Sequence, residues 1–240
     1  MRLLPRLAPR WRARLGIWGR RFVTLVIVLF VVVPVVLTAA YRVVPVPATP
    51  LMVIRLFEGE GWQRDWVPLH DVAETVGVAV IAGEDNLFCE NRGFDWGEVA
   101  DAWTTWRAGG RLRGASTISM QVARNLFLWP GGGFIRKAVE VYETSIVELI
   151  LPKSRIMEIY LNIAEWGPGI YGVGAAARHY FGLEAADLTS RQASLLVAIL
   201  PAPRSRSAAR PTNYVQGYAN TIHRRMGQLG PLTDCILPSS

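Results

Sequence analysis

Seven arginines (Arg2, Arg6, Arg10, Arg12, Arg14, Arg20 and Arg21) stand before a run without a single charge, residues 22–41. At the α-helical rise of about 1.5 Å per residue, these 20 residues span about 30 Å, one hydrocarbon core. A helix of this composition has no polar face to offer water, so the run reads as a single membrane-spanning anchor. Pro34 would kink it, which membrane helices tolerate. The arginine-rich flank is expected to stay in the cytoplasm, so everything after the run is exported. The alternative is a cleaved signal peptide with Thr38-Ala39-Ala40 as its small-residue site, but the run exceeds the ~7–15 residue core of such peptides. The expected organisation is a basic segment at 1–21, an anchor at 22–41, a proline-rich stiff spacer at 42–50 and one catalytic domain at 51–240.

The net charge of +7 suggests a nucleic-acid partner only until it is located. All 19 acidic residues lie at or after Glu58, where only 17 of the 26 basic ones lie, so the body carries −2 and residues 1–57 carry +9. No nucleic acid is expected as a partner. A hydrophobic content of 51% excludes a disordered chain. Two cysteines, Cys89 and Cys235, exclude a disulfide scaffold, and with three scattered histidines they exclude a structural zinc site. Export would place both cysteines in an oxidising compartment, and whether they pair is left open.

The body reads as helices. Helical spacing runs through 70–83. Asp95 with Glu98 marks a capping-box start for a helix to about 108, which Gly109-Gly110 and the segment to Gly114 break. Further helices fit 117–128, 134–151, a segment from a Ser154 cap to about 164, 173–181, 190–200 with a Thr189 cap and Gln192 in its box, and 213–229. Strand signal is thin, one short pair near 53–57. The fold class is mostly α.

Two adjacent carboxylates, Glu84 and Asp85, end an apolar helix. A carboxyl at the mouth of a hydrophobic site has its charged form disfavoured and can work as acid or base near neutral pH. A third, Glu140, follows Arg136 and Lys137 within one helical turn. Between them, residues 114–121 form a glycine- and hydroxyl-rich turn entering a helix, suited to holding an anion through backbone N–H groups. Each has an ordinary reading: a solvated helix end, an i,i+4 surface pair and a simple cap.

Order and spacing together resemble the peptidoglycan glycosyltransferases of glycosyltransferase family 51, in a monofunctional, membrane-anchored form. The family pattern E-D-x-x-F-x-x-H-x-G-F-D is matched by Glu84-Asp85, Phe88 and Gly93-Phe94-Asp95. R-G-[AG]-S-T-I-x-x-Q-x-x-[KR]-N is matched from Arg113-Gly114-Ala115-Ser116-Thr117-Ile118 through Gln121 to Arg124-Asn125. R-K-x-x-E is Arg136-Lys137 with Glu140, and K-x-x-I-x-x-x-Y-L-N is Lys153, Ile156 and Tyr160-Leu161-Asn162. The match continues through Glu165-Trp166-Gly167, residues 172–177 and Tyr180-Phe181-Gly182. Two departures stand out. Asn91 occupies the place of the motif histidine, and Gly131-Gly132-Gly133 replaces a loop that commonly carries an arginine. Neither touches Glu84 or Glu140.

The resemblance implies a lysozyme-like helical domain that polymerises lipid II. The growing undecaprenyl-pyrophosphate glycan would be donor and lipid II acceptor, and transfer would invert the donor carbon. It implies Glu84 and Glu140 as the catalytic pair, with Glu84 the base that takes the acceptor hydroxyl proton and Glu140 orienting the cations or the donor. Ser116, Gln121, Arg124, Arg136 and Lys137 would surround the donor, and Asp85, Thr117, Asn125, Lys153, Tyr160 and Asn162 complete the implied substrate-binding set. A divalent cation, Mg2+ or Mn2+, would suit the pyrophosphate, though no dedicated metal motif is present. Expected partners are lipid II, the bilayer and cell-wall or division proteins. The implied location is the bacterial inner membrane, N-terminus cytoplasmic and catalytic domain periplasmic. The exposed candidates 126–129 would lean on lipid or, alternatively, belong to the core.

Lys137 and Lys153 are the only lysines among 26 basic residues, the other 24 being arginines, and both fall in motifs. Competing readings are a lysozyme-like lytic muramidase, which has no need of a phosphate cradle, and a membrane-tethered wall-binding scaffold, which needs no paired carboxylates and cations.

Overall fold

The computed structural model describes residues 10–107, 109, 116–131 and 133–237. The glycine-rich break at 110–114, the start of the second motif at Arg113-Gly114-Ala115, and Gly132 of the loop departure lie outside the described residues.

The arm is helical: α1 (Arg10–Ile27), one π-helical turn (Val28–Val32) and α2 (Val33–Tyr41). The π turn has a local cause. Pro34 has no N–H to give the preceding turn, and a widened turn just before it, with Val33 N–H bonded back to Val28 O, accommodates the ring. Trp18–Tyr41, 24 residues, is the one helix among the described residues long and apolar enough to cross a membrane.

The spacer ends in α3 (Pro50–Phe57), not in the strand expected near 53–57. Thr49 caps it by accepting from Met52 N, and Pro50 sits at the first helical position. These start signals override the strand preference of Val53 and Ile54. The strands are shorter and elsewhere: β1 (Gln63–Arg64), β2 (Glu165–Gly167) and β3 (Ile170–Tyr171), in the order β1-β3-β2, with β1 parallel and β2 antiparallel to β3.

The helices of the body are α4 (Glu74–Glu84), α5 (Trp96–Arg107), α6 (Ile118–Phe127), α7 (Phe134–Ile150), α8 (Lys153–Ile163), α9 (Val173–Phe181), α10 (Ser190–Ile199) and α11 (Asn213–Met226). Asp95 Oδ1 accepts from Glu98 N, Thr117 caps α6 and Thr189 with Gln192 forms a complete capping box on α10. Ser154 is not the cap of α8. Pro152 takes that place without a side-chain bond, its missing N–H being no loss at a helix start.

α4 is the centre of the core. Val76, Ala79, Val80, Ile81 and Ala82 are wholly buried, so it is apolar nearly all round. α10 and α11 pack on it. At Gly83 an added Cβ would lie 2.5 Å from Val197 Cγ1, so the absent side chain is what lets α10 approach the residue before Glu84. Cys89 and Cys235, left open above, form a disulfide across a sequence separation of 146, with Cα atoms 5.5 Å apart.

α7 carries two kinds of surface. One side, with Glu140, Thr144 and Val147, is buried among the other helices. The opposite side exposes Ile135 at 86% and Leu149 at 87%, beside Val141 and Tyr142. α2 packs on α7 with Pro34 and Thr38 buried, Arg42 Nη1 donates to Ile150 O (2.9 Å), and Arg155 Nε donates to Tyr41 O (2.7 Å). Of the stripe 126–129, Leu126 and Leu128 are core and only Trp129 is exposed. The alternative reading therefore holds there, and the exposed apolar stripe belongs to α7.

Glu143 of α7 is 1% exposed and its Oε2 has no hydrogen-bond partner. Burial pushes its carboxyl up to about 7 from an ordinary 4.5. The folded state then holds a proton that the unfolded chain has released, so stability falls as pH rises from about 4.5 to about 7 and stays lower above. The stability of Glu143→Met relative to the native chain should therefore increase by about 2 kcal/mol between pH 5 and pH 8, read from thermal unfolding at both pH values. An unchanged difference would show that Glu143 does not titrate in the fold.

Candidate active site

The last turn of α4 places Glu84 at a cleft. Asp85 caps the helix, and Tyr218 Oη of α11 donates to Gly83 O (3.1 Å), which ties that end down. The cleft, about 410 Å³, is lined by Glu84, Asp85, Ser116, Thr117, Glu98 and Arg225 among others.

Glu84 Oε2 accepts from Gln121 Nε2 (2.9 Å). Gln121 Oε1 accepts in turn from Tyr160 Oη (3.4 Å), so the tyrosine orients the amide with its N–H toward the carboxylate. Burial pushes the Glu84 carboxyl above the usual carboxylate range, while the Gln121 bond and the charge of Arg124 pull it back down. Burial also pushes the Tyr160 hydroxyl well up, so it remains a neutral donor.

Asp85 is turned to internal use. It is 7% exposed, and its Oδ2 accepts from Ile118 N at the start of α6 (3.1 Å). Asn91 Nδ2 donates to both of its oxygens, at 2.9 and 3.2 Å. Burial raises the Asp85 carboxyl, and the Asn91 and Ile118 bonds oppose the rise. These bonds leave Glu84 as the carboxylate better placed to accept a proton from the cleft.

Asn91 shows how the missing motif histidine is replaced. Its amide donates to Asp85 while its Oδ1 accepts from Gly93 N (3.1 Å) and from Lys153 Nζ (3.3 Å). Lys153 also pairs with Glu148 (2.7 Å) and lies 4.6 Å from the centre of the Phe88 ring. Ser119 Oγ donates to the same Glu148 carboxylate. A histidine at 91 can supply one N–H to Asp85 and one acceptor behind it, so Asn91→His should leave activity within about threefold. Asn91→Leu removes the donor to a buried carboxylate and should lower activity about tenfold or more. Initial rates of the reaction at this site compare the two, and equal rates would deny Asn91 this bridging role.

A third group lies on the first turns of α7. Glu140, 0% exposed, accepts from Arg136 Nη1 (2.9 Å) and Lys137 Nζ (2.8 Å). Thr117 Oγ1 donates to Gly93 O (2.7 Å) and receives Met120 N, so its hydroxyl holds the turn. Arg124, Asn125 and Ser116 are half-buried, the first two on α6 and Ser116 just before it. Asn162 is wholly buried, its amide joined to both backbone groups of Val67 and to Glu158 O, each at 2.8 Å. Its polar atoms serve the fold, not the cleft. Among the described residues no group of three or more His, Cys, Asp or Glu is arranged to hold a metal ion.

The transglycosylase family profile matches residues 52–227, nearly the whole catalytic body. The chain belongs to the transglycosylase family. It is 50% identical over 206 residues to a biosynthetic peptidoglycan transglycosylase of Rhodospirillum centenum, covering 85% of this chain and 89% of the relative. It is 47% identical over 209 residues to a protein of the same name from Pseudomonas fluorescens, covering 84% and 86%. The chain is thus a peptidoglycan transglycosylase, a glycosyltransferase with a lysozyme-like helical domain, and a lipid II or glycan substrate follows from that activity.

In this transglycosylase several cleft residues carried no motif signal. Arg225 reaches the cleft from the last turn of α11, more than 100 residues beyond Thr117 in sequence. Glu98 reads from sequence only as the second half of a capping box, yet its side chain lines the cleft. Ser119 and Glu148 are silent in sequence because only the packing of α6 on α7 brings them to Lys153.

Proposed function

We propose that the chain polymerises lipid II into linear β-1,4-linked glycan, releasing undecaprenyl pyrophosphate and forming no peptide cross-links. The observation that carries this reading is Glu84: a carboxylate raised by burial, oriented by a Gln121–Tyr160 pair, at the mouth of a cleft. An attacking sugar hydroxyl needs a base, whereas a leaving pyrophosphate needs charge neutralisation more than a proton.

In this reading Glu84 takes the proton from the acceptor 4-hydroxyl as the oxygen attacks the donor MurNAc C1. Attack from the face opposite the pyrophosphate inverts that carbon. Arg136 and Lys137, held by Glu140 on the first turns of α7, meet the pyrophosphate together with the amino end of the helix and its free N–H groups. Arg124 and Ser116 complete the donor side. Substrate and product keep a lipid tail, so the cleft must work beside a bilayer. The helix Trp18–Tyr41 is then the anchor, with its arginine flank in the cytoplasm and the domain on the periplasmic face of the inner membrane. The exposed apolar side of α7, alongside α2, lies against lipid.

A muramidase with the same fold would cleave the product, so one reaction separates the two. When uncross-linked glycan and lipid II are supplied together, the strands should lengthen and none should shorten; net shortening would make the chain a lytic enzyme. The absence of cross-linking has its own support. A penicillin-sensitive serine sits in Ser-x-x-Lys, and the residues three before the two lysines are Phe134 and Ile150. Labelled penicillin should therefore give no covalent adduct with the purified chain, and a stoichiometric adduct would overturn this part of the reading.

A further inference from the structure

A second cavity, about 460 Å³, opens at the other end of α4. Glu74 lines this cavity and Glu84 the cleft, and ten residues of helix rise separate them by about 15 Å. Its place is set by the chain: Arg42, the first residue after Trp18–Tyr41, is part of its wall. With the anchor spanning the hydrocarbon, Arg42 stands where hydrocarbon gives way to headgroups.

The wall chemistry is uneven. Arg155 and Glu158 line the cavity but pair with each other, and Arg155 also donates to the backbone of Tyr41 and Val44. Among the described residues the Arg42 side chain has one hydrogen bond, to Ile150 O, and no carboxylate partner. Glu74 is exposed and has neither an ion pair nor a side-chain hydrogen bond among the described residues, and the Ser154 hydroxyl is likewise unengaged. Among the described residues the cavity therefore presents one cation without a carboxylate, one carboxylate without a cation and a free hydroxyl, beside a His70 that faces Asp71, with Val72, Ile236 and Leu237 as apolar walls. A ligand complementary to this set carries a phosphate and an ammonium on one short stem, with an apolar continuation. Like charges, or a phosphate alone, would leave Glu74 unmatched.

We propose that this cavity seats the zwitterionic headgroup of a bilayer phospholipid of the phosphatidylethanolamine class, its phosphate on Arg42 and Ser154 and its ammonium on Glu74. The site is separate from the glycan cleft, and its occupant is a resident lipid, not a substrate. A headgroup held there fixes the height and tilt of the catalytic domain at the foot of the anchor. The inference rests on the reading of Trp18–Tyr41 as a membrane span.

Native mass spectrometry of the full chain in detergent, loaded with equal amounts of phosphatidylethanolamine and phosphatidylglycerol, tests it. The native chain should retain one phosphatidylethanolamine about tenfold in preference, the ratio expected of one charge-assisted contact. Glu74→Gln should erase that preference while leaving phosphatidylglycerol retention unchanged. Arg42→Ala should release both lipids, and Arg42→Lys, which spares the charge if the alanine variant fails to fold, should retain them. Undiminished preference in Glu74→Gln, or no preference in the native chain, would overturn the proposal. Soluble phosphoethanolamine competing as well as the intact lipid would overturn the lipid as its source. Carbonate washing of membranes keeps the two readings apart: a chain that washes off refutes the anchor, whereas a chain that stays but shows no lipid preference refutes only the headgroup site.

Discussion

Glu84→Gln is expected to leave the chain folded and able to bind lipid-linked substrate while lowering glycan transfer about 10²- to 10⁴-fold, the range that a positioned base contributes. The amide keeps the shape of the side chain and a hydrogen bond to Gln121, and loses only the capacity to accept a proton. Retention of more than about a few per cent of the native rate would remove Glu84 from the role of base. The pH profile carries the same assignment. Because burial raises this carboxyl, the base is lost on acidification at a higher pH than for an ordinary glutamate. Activity should therefore rise with pH through that raised value. Gln121→Leu removes a bond that favours the charged form, so its acid limb should move to still higher pH. An acid limb that Gln121→Leu leaves in place would mean that the titrating group is not Glu84.

The second large effect concerns Glu140. Arg136 and Lys137 lie in the first turns of α7, where the helix dipole disfavours cations, and a single wholly buried carboxylate holds both. Glu140→Gln keeps one acceptor and removes the charge. Two cations near the helix start then lose their fixed positions, and turnover should fall about 10- to 100-fold, the weight of one or two charge-assisted bonds. Removing one partner of a buried ion pair also costs stability, so unfolding temperature must be measured alongside. A variant that folds and turns over at the native rate would show that Glu140 does not position the donor side.

Much of the helical body is legible from local chemistry. Thr189 with Gln192 announces a helix start by a side chain able to take an orphan N–H and does so in the fold, and Thr117 and Thr212 cap α6 and α11 in the same way. Helical spacing likewise locates α9, where a buried stripe repeats every turn, and α7, whose periodic apolar residues Ile135, Tyr142 and Leu149 lie on its exposed side. The misreadings have equally physical causes. Val53 and Ile54 are β-branched and suggest a strand, but Thr49 and Pro50 act earlier in the chain and set a helix. The true strands are two or three residues long, too short to show alternation, and they exist only because distant segments pair. The run 126–129 is apolar on all sides, so sequence cannot say which face is covered. Packing against the core decides it, leaving Trp129 outside.

The site divides the same way. Glu84, Asp85, Gln121, Arg124 and Glu140 are legible because motifs hold them at set spacings. Asn91 looks like a loss in sequence, since an amide does not titrate like imidazole. In the fold it donates to Asp85 and accepts from Lys153, which a neutral amide can do as well as a ring. Arg225, Glu98, Glu143 and Glu148 are invisible without tertiary structure, because their meaning lies in burial or in partners far along the chain.

The most direct measurement is a gel of fluorescently labelled lipid II incubated with the purified full chain, in the presence of penicillin. Lipid II polymerisation predicts a ladder of lengthening glycan strands, absent with Glu84→Gln, that muramidase digestion reduces entirely to uncross-linked monomers. Unconverted lipid II in the presence of folded native chain, or a ladder equally strong with Glu84→Gln, would contradict it.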